Sequence, residues 1–464
     1  MKRRNNRLKR SITALTISLV LALTASCSPS DPVVSVGTPL PSATESSMPS
    51  DTATPPTPSA QPTYTPDSSA DVPPSTSPGE ANGAGAYTIA ADVSESQKTY
   101  YSEQPDENAL RVENDAIAGI DGASIEKRSG DATSLENVIT YGLNAAALVR
   151  ANAQLLLINS EITAVPLGAG GAFACNGRLQ LENSIVRATG NSAFAIAVSQ
   201  EGSVSARESN LSTQGVGSPA IVAGRNGEVQ MEGGIVATAG TGSPAIDAAG
   251  NVTVNSATLR ANNAEAISVS GGSVTLTDCA VSGRMSDAAS ADAGTLPYCV
   301  TLYQGGAAGD ETSSFSMTRG ALTATRGDLF YATNTNASIY LEEVALSLSE
   351  GNAFLRVAGN DGSRGMGDSG KNGADCVVIA KNQTLRGDII VDALSSVSLT
   401  LRGDSDYTGT INTSNTAHAA KVTLEDDAIW TLTGNAYLTA FTGRVGSIVT
   451  NGYTVYVNGV PLTE

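Results

Sequence analysis

Aromatic side chains, histidine and positive charge are all scarce in this sequence. Only 4% of the 464 residues are aromatic, one of them Trp, and there is a single His. A core built on stacked rings is excluded, as are zinc centres and catalytic relays that gather several imidazoles. Basic residues number 27 against 45 acidic ones, a formal charge of −18 at pH 7. Six of the 27 lie in the first ten positions, so without that end the balance is 21 against 45, or −24. A chain of that charge repels nucleic acid and anionic lipid surfaces, which argues against a nucleic-acid partner.

Lys2, Arg3, Arg4, Arg7, Lys9 and Arg10 precede an apolar run from Ile12 to Ala25 that stops at Ser26-Cys27. A basic start before an apolar stretch too short for a comfortable membrane span is the layout of a cleaved secretory signal. Leu23-Thr24-Ala25-Ser26-Cys27 resembles a bacterial lipobox, with Thr24 in the place usually held by Leu. The resemblance implies a signal peptide over 1–26, a lipid on Cys27, and an extracytoplasmic chain anchored to the bacterial cell membrane. Residues 28–85 hold 13 of the 19 prolines, mixed with Ser, Thr and Ala. Such a segment buries too little surface to offset its ordering, so 27–85 reads as a lipidated cysteine followed by a disordered tether. Its reach is roughly 180 Å as extended polyproline and about 40 Å as a coil, enough to carry a head through part of a cell wall.

From about residue 107 the chain repeats. Gly217-Ser218-Pro219-Ala220-Ile221 returns 25 residues later as Gly242-Ser243-Pro244-Ala245-Ile246. The same small-then-large step marks an anchor column of Leu110, Leu148, Phe173, Ile196, Ile221, Ile246, Ile267, Val300, Phe330 and Phe354. A second alternating run follows at Leu155, Leu179, Val204, Val229, Val252, Val274, Phe315 and Ile339, and a third at Ile162, Ile185, Leu211, Ile235, Leu259, Val281, Leu322 and Leu346. Period-two alternation such as Val252-Thr253-Val254 marks strands with one buried face, and Gly, Asn, Ser and Asp fill the corners. Three short strands per 20 to 30 residues, without helical spacing, predict an all-β solenoid: a right-handed parallel β-helix rising about 4.8 Å per coil.

The coils resemble the pectin-lyase-like superfamily and bacterial surface proteins of that fold, as a pattern without a family-specific motif. They are assigned to 86–376. Residues 377–464 are similar to the C-terminal part of passenger-type adhesins, through Ser398-Leu399-Thr400-Leu401, Tyr407-Thr408-Gly409-Thr410-Ile411-Asn412 and Trp430-Thr431-Leu432-Thr433-Gly434. They are read as further coils or a β-rich cap.

Polysaccharide lyases of this fold hold Ca²⁺ with acidic residues on an outer strand face. The outward row expected here is Arg111, Val149, Ala174, Ala197, Val222, Asp247, Ser268, Thr301, Tyr331 and Leu355, in which two charges lie coils apart. His418 falls in a loop, and Glu425-Asp426-Asp427 alternates faces on an edge. The Gly-rich loop 360–375 carries Asp361, Asp368 and Asp375 at a spacing of seven; oxygen-rich turns of this kind can hold Ca²⁺, but the spacing matches no EF-hand or nonapeptide repeat, and the loop reads as a connection from coil to cap. Three Arg-Gly-Asp tripeptides, at 326–328, 386–388 and 402–404, read as turns. Cys175, Cys279, Cys299 and Cys376 read as buried thiols, with Cys279 and Cys299 the one pair in neighbouring coils.

No catalytic residue, metal ligand or cofactor is therefore assigned. The insertions at 282–297 and 304–314, with Tyr298, Tyr303 and Tyr331 nearby, are where a solenoid would carry recognition. The expected function is non-enzymatic surface binding or adhesion toward an extracellular polysaccharide, a protein or a host surface. A β-helix lyase or hydrolase and a purely structural surface protein are the alternatives.

Overall fold

The structure, a computed structural model, describes residues 81–286, 296–306, 309 and 311–463. Cys27, the signal and most of the tether lie outside the described residues. Strands stack in parallel columns, and each coil contributes one strand to each column. The first column is a 12-stranded parallel sheet from Ala84–Ile89 to Ile389–Val391. The second runs from Val93–Ser96 to Ala440–Thr442, and the third starts at Thr99–Ser102. This is a parallel β-helix. Its coils begin before residue 107 and continue through the C-terminal part, which ends in the antiparallel pair Val455–Val457 and Val460–Pro461.

Alternation fixes the register. The second column pairs Leu155, Leu179, Val204, Val229, Val252, Val274, Phe315 and Ile339 in line, all inward and buried, as the sequence predicts. Each such side chain contributes about 1.5–3 kcal/mol on burial. In the first column the observed line is Leu110, Ala147, Ala172, Ile196, Ile221, Ile246, Ile267, Val300, Phe330, Leu355 and Ile389. Leu148, Phe173 and Phe354 are each one residue out of that line. A one-residue slip moves a side chain to the other face. Leu148 and Phe173 accordingly point outward, where they pack with Val138, Tyr141 and Phe194 beneath the helix Leu135–Tyr141.

That helix occupies the 38-residue interval that separates Leu110 from Leu148. Ser134 caps its start by accepting from the Asn137 N–H, and Gly142, at φ 72°, closes it in a left-handed turn. Because the helix covers the outer face, strands such as Ala172–Cys175 are buried on both sides and lose the alternation that would have fixed their register. In the third column Val186 and Val236 point inward, while Ile185 and the exposed Ile235 do not. An Ile-Val dipeptide offers two equivalent candidates, and the turn before it selects one.

The turn between second and third strands is one residue in the left-handed region. Gly122, Asn159, Asn183, Glu208, Gly233, Ser256 and Asp278 take it in successive coils, with φ from 46° to 69°. The next residue builds a ladder. Ser160 Oγ accepts from the Ala123 N–H at 3.0 Å, Ser184 Oγ from Ser160 N–H at 3.1 Å, and Ser209 Oγ from Ser184 N–H at 3.1 Å. These bonds satisfy backbone donors that the turn removes from the sheets.

Candidate functional site

Two rows of the first column converge on one polar cluster. The outward row is Arg111, Leu148, Phe173, Ala197, Val222, Asp247, Ser268, Thr301, Tyr331 and Arg356, so Val149, Ala174 and Leu355 of the expected row point inward instead. From Asp247 onward that row turns from apolar to polar. Two residues before the inward anchor a second row reads Glu265, Tyr298 and Asp328 in consecutive coils. Over these rows the loop between Leu355–Val357 and Asp375–Lys381 places Arg364.

Arg364 Nη1 donates to Tyr298 Oη at 3.2 Å. Tyr298 and Tyr331 lie with ring centroids 5.2 Å apart and pack with Met285 and Ala358. Tyr331 Oη donates to the Gly359 carbonyl at 3.3 Å, and Arg356 Nε donates to Asp328 Oδ2 at 2.7 Å. Asp328 also accepts from the Ala353 N–H at 2.7 Å, so this part of the cluster is locked. The first Arg-Gly-Asp tripeptide is thus a buried corner, not a displayed motif.

Electrostatics follow from enclosure. Asp247 keeps a little solvent exposure but is densely surrounded, and that burial pushes its carboxyl up to about 6. The Ser268 hydroxyl and Arg364 pull the other way, and Glu265 adds to the rise. For Arg364, burial acts against the guanidinium charge, yet Tyr298, Glu265, Tyr303 and Asp247 outweigh it and hold the group above its ordinary value. Among the described residues, Thr301 Oγ1 and Glu265 Oε2 are buried with no hydrogen-bond partner. A buried polar atom left unpaired costs about 1–3 kcal/mol; these two lie on neighbouring coils, and Glu265 is near enough to Arg364 to raise it.

The Gly-rich loop is a strap pinned by asparagines. Asn372 Nδ2 donates to the carbonyls of Asn360 and Met366 at 3.1 Å each, and Asn360 Nδ2 donates to Thr333 Oγ1 at 2.7 Å. Its carboxylates diverge: Asp361 caps Ser363, Asp368 pairs with Lys371 at 3.6 Å, and Asp375 starts a strand. Among the described residues no group of three or more His, Cys, Asp or Glu is arranged to hold a metal ion.

The other sequence candidates are dispersed. His418 is exposed, Glu425 pairs with Arg402 at 2.9 Å, and Asp427 lies 3.5 Å from Arg444. Arg402-Gly403-Asp404 and Arg386-Gly387-Asp388 are corners held by Asp426, Asn382 and the Thr410 N–H. All four described cysteines are free and buried; Cys279 and Cys299 form no disulfide. Burial pushes the Cys299 and Cys376 thiols up to about 12. Tyr298 and Tyr331 pack together, and Tyr303 lies at the far end of the strand that Tyr298 opens. Glu265 and Arg364 were missed; the available signal for Glu265 was a carboxylate between two alanines of an otherwise small-residue corner. No protein-family model matches the chain, and no curated protein and no solved structure is detectably similar to it.

Proposed function

We propose that this is a non-enzymatic surface lipoprotein, attached through a lipid on Cys27 and held out on the 27–85 tether, that binds an extracellular glycan on the outer face of the first column. The parallel β-helix supports a relationship to the surface-displayed branch of the pectin-lyase-like superfamily. The observation that carries the binding reading is the pair of buried, unpartnered atoms Thr301 Oγ1 and Glu265 Oε2 on neighbouring coils, with Arg364 near Glu265. A sugar supplies vicinal hydroxyls that donate to the carboxylate, accept from the guanidinium and exchange with the threonine hydroxyl.

A second reading rests on Asp247. A carboxyl raised to about 6 beside a second carboxylate is the pairing a glycoside hydrolase uses for general acid and base. Native affinity electrophoresis of the chain carrying Cys27→Ser, through gels containing different polysaccharides and then stained for polymer, separates the two. Retardation with the polymer intact is expected. Cleared zones would establish the enzyme, and neither effect with any polymer would overturn glycan binding in favour of a protein partner or scaffold.

A further inference from the structure

Three charged groups of the polar cluster lie close together without touching. Asp247, Ser268 and Thr301 follow one another along the outward row, one per coil, and Glu265 lies three residues before Ser268 on the middle coil. Glu265 acts on the Asp247 carboxyl, and both carboxylates act on Arg364. Yet among the described residues Arg364 forms no direct ion pair with either, and its hydrogen bond goes to Tyr298 Oη. Glu265, only 4% exposed, leaves Oε2 without a hydrogen-bond partner. Most guanidinium donors are thus unused beside two carboxylates that they do not reach.

The charges of this enclosure do not balance. Burial pushes the Asp247 carboxyl up only to about 6, so at neutral pH it adds its charge to that of Glu265, and Arg364 offsets one of the two. Arg364 is the cation that acts on Asp247. Arg356 is taken by Asp328 at 2.7 Å and Lys371 by Asp368 at 3.6 Å, while Arg284 is exposed at the preceding corner. A buried excess charge is costly until a counter-charge carrying hydrogen-bond donors reaches it. A sugar hydroxyl or an acetamide brings a single donor and no charge, and a ligand carboxylate adds repulsion. An ammonium brings several donors and the missing charge.

We propose that the sugar this site takes carries an unacetylated primary amine, whose ammonium donates to Asp247 and to Glu265 Oε2 while Arg364 donates to a neighbouring hydroxyl. Resting on the glycan reading above, this assigns the polymer as a hexosamine chain with free amines. Asp247 is where such a group first meets the enclosure, because it keeps solvent exposure while Glu265, Ser268 and Thr301 are at most 4% exposed. At longer range a chain of formal charge −18 attracts a cationic polymer and repels a uronate one.

The test is isothermal titration calorimetry near neutral pH, with the Cys27→Ser chain and three β-1,4-linked hexamers that differ only at C2: glucosamine, N-acetylglucosamine and glucose. Hexalysine controls for charge without a sugar. The glucosamine hexamer should bind at least tenfold tighter than the other two and than hexalysine. Asp247→Asn should remove that preference without lowering the melting temperature, which separates lost recognition from lost folding. Equal binding of the three hexamers would overturn the amine assignment and leave glycan binding standing. Equal binding of hexalysine, or a preference that survives Asp247→Asn, would overturn it too. If no hexamer binds, the amine assignment falls, and retardation in the polysaccharide gels decides the glycan reading separately.

Discussion

The coils from Ala172 to Ala261 and those from Ile267 to Val391 share one architecture and differ in regularity. In the first region Ile196, Ile221 and Ile246 recur every 25 residues and the outward row is apolar as far as Val222. In the second the inward anchors Ile267, Val300, Phe330, Leu355 and Ile389 are separated by uneven and mostly longer intervals. The enclosed polar cluster lies mainly in this region, entered through Asp247 at its edge. A solenoid needs only its inward residues to repeat. Departures from the repeat are where polar groups gather, because an inserted loop can cover an outer face.

The comparison breaks most sharply in the regular coils. Ile221→Asp places a carboxylate in the inward line and should cost more than about 4 kcal/mol, whereas Ile235→Asp, on an exposed side chain, should stay within about 0.5 kcal/mol; urea unfolding followed by circular dichroism measures both. In the irregular coils, Arg364→Ala leaves Glu265 and Asp247 without their cation and should cost about 3 kcal/mol by the same measurement.

Asp247→Asn has a signed pH dependence. The folded carboxyl titrates near 6, above its unfolded value of 3.8, so its favourable contribution is present at low pH and is lost as pH rises from about 4 through 6. The variant should be more stable than the parent by about 3 kcal/mol at pH 8 and indistinguishable from it well below pH 4, in denaturation curves across that range. Smaller again is Val236→Ala against Ile235→Ala. The inward valine should cost about 1–2 kcal/mol and the outward isoleucine under about 0.5, which tests the register directly.

Much of this was legible in the sequence, and the exceptions have physical causes. The second column could be read without error because its strands alternate between a buried and a solvated face. The first was misread at Leu148 and Phe173 because the helix Leu135–Tyr141 buries the outer face as well, and that helix was hidden in an interval between strands. The third was misread at Ile185 and Ile235, where two adjacent β-branched residues compete. Tyr298, Tyr303 and Tyr331 could be placed near the insertions from the uneven spacing of the coils alone. Arg364 could not, since its approach depends on how an asparagine-pinned loop folds back across several coils.

The proposed glycan site rests on Glu265 and Thr301, two buried polar groups without a hydrogen-bond partner among the described residues. Affinity electrophoresis of the Cys27→Ser chain, alone and with Glu265→Gln plus Thr301→Val, tests it against whichever polysaccharide retards the parent. At least a tenfold loss of apparent affinity is expected; Thr301→Val alone should leave the melting temperature unchanged or raised because it removes a buried unpaired hydroxyl, whereas Glu265→Gln should lower it because Arg364 loses a carboxylate. Undiminished retardation of the double variant would contradict the assignment of the site.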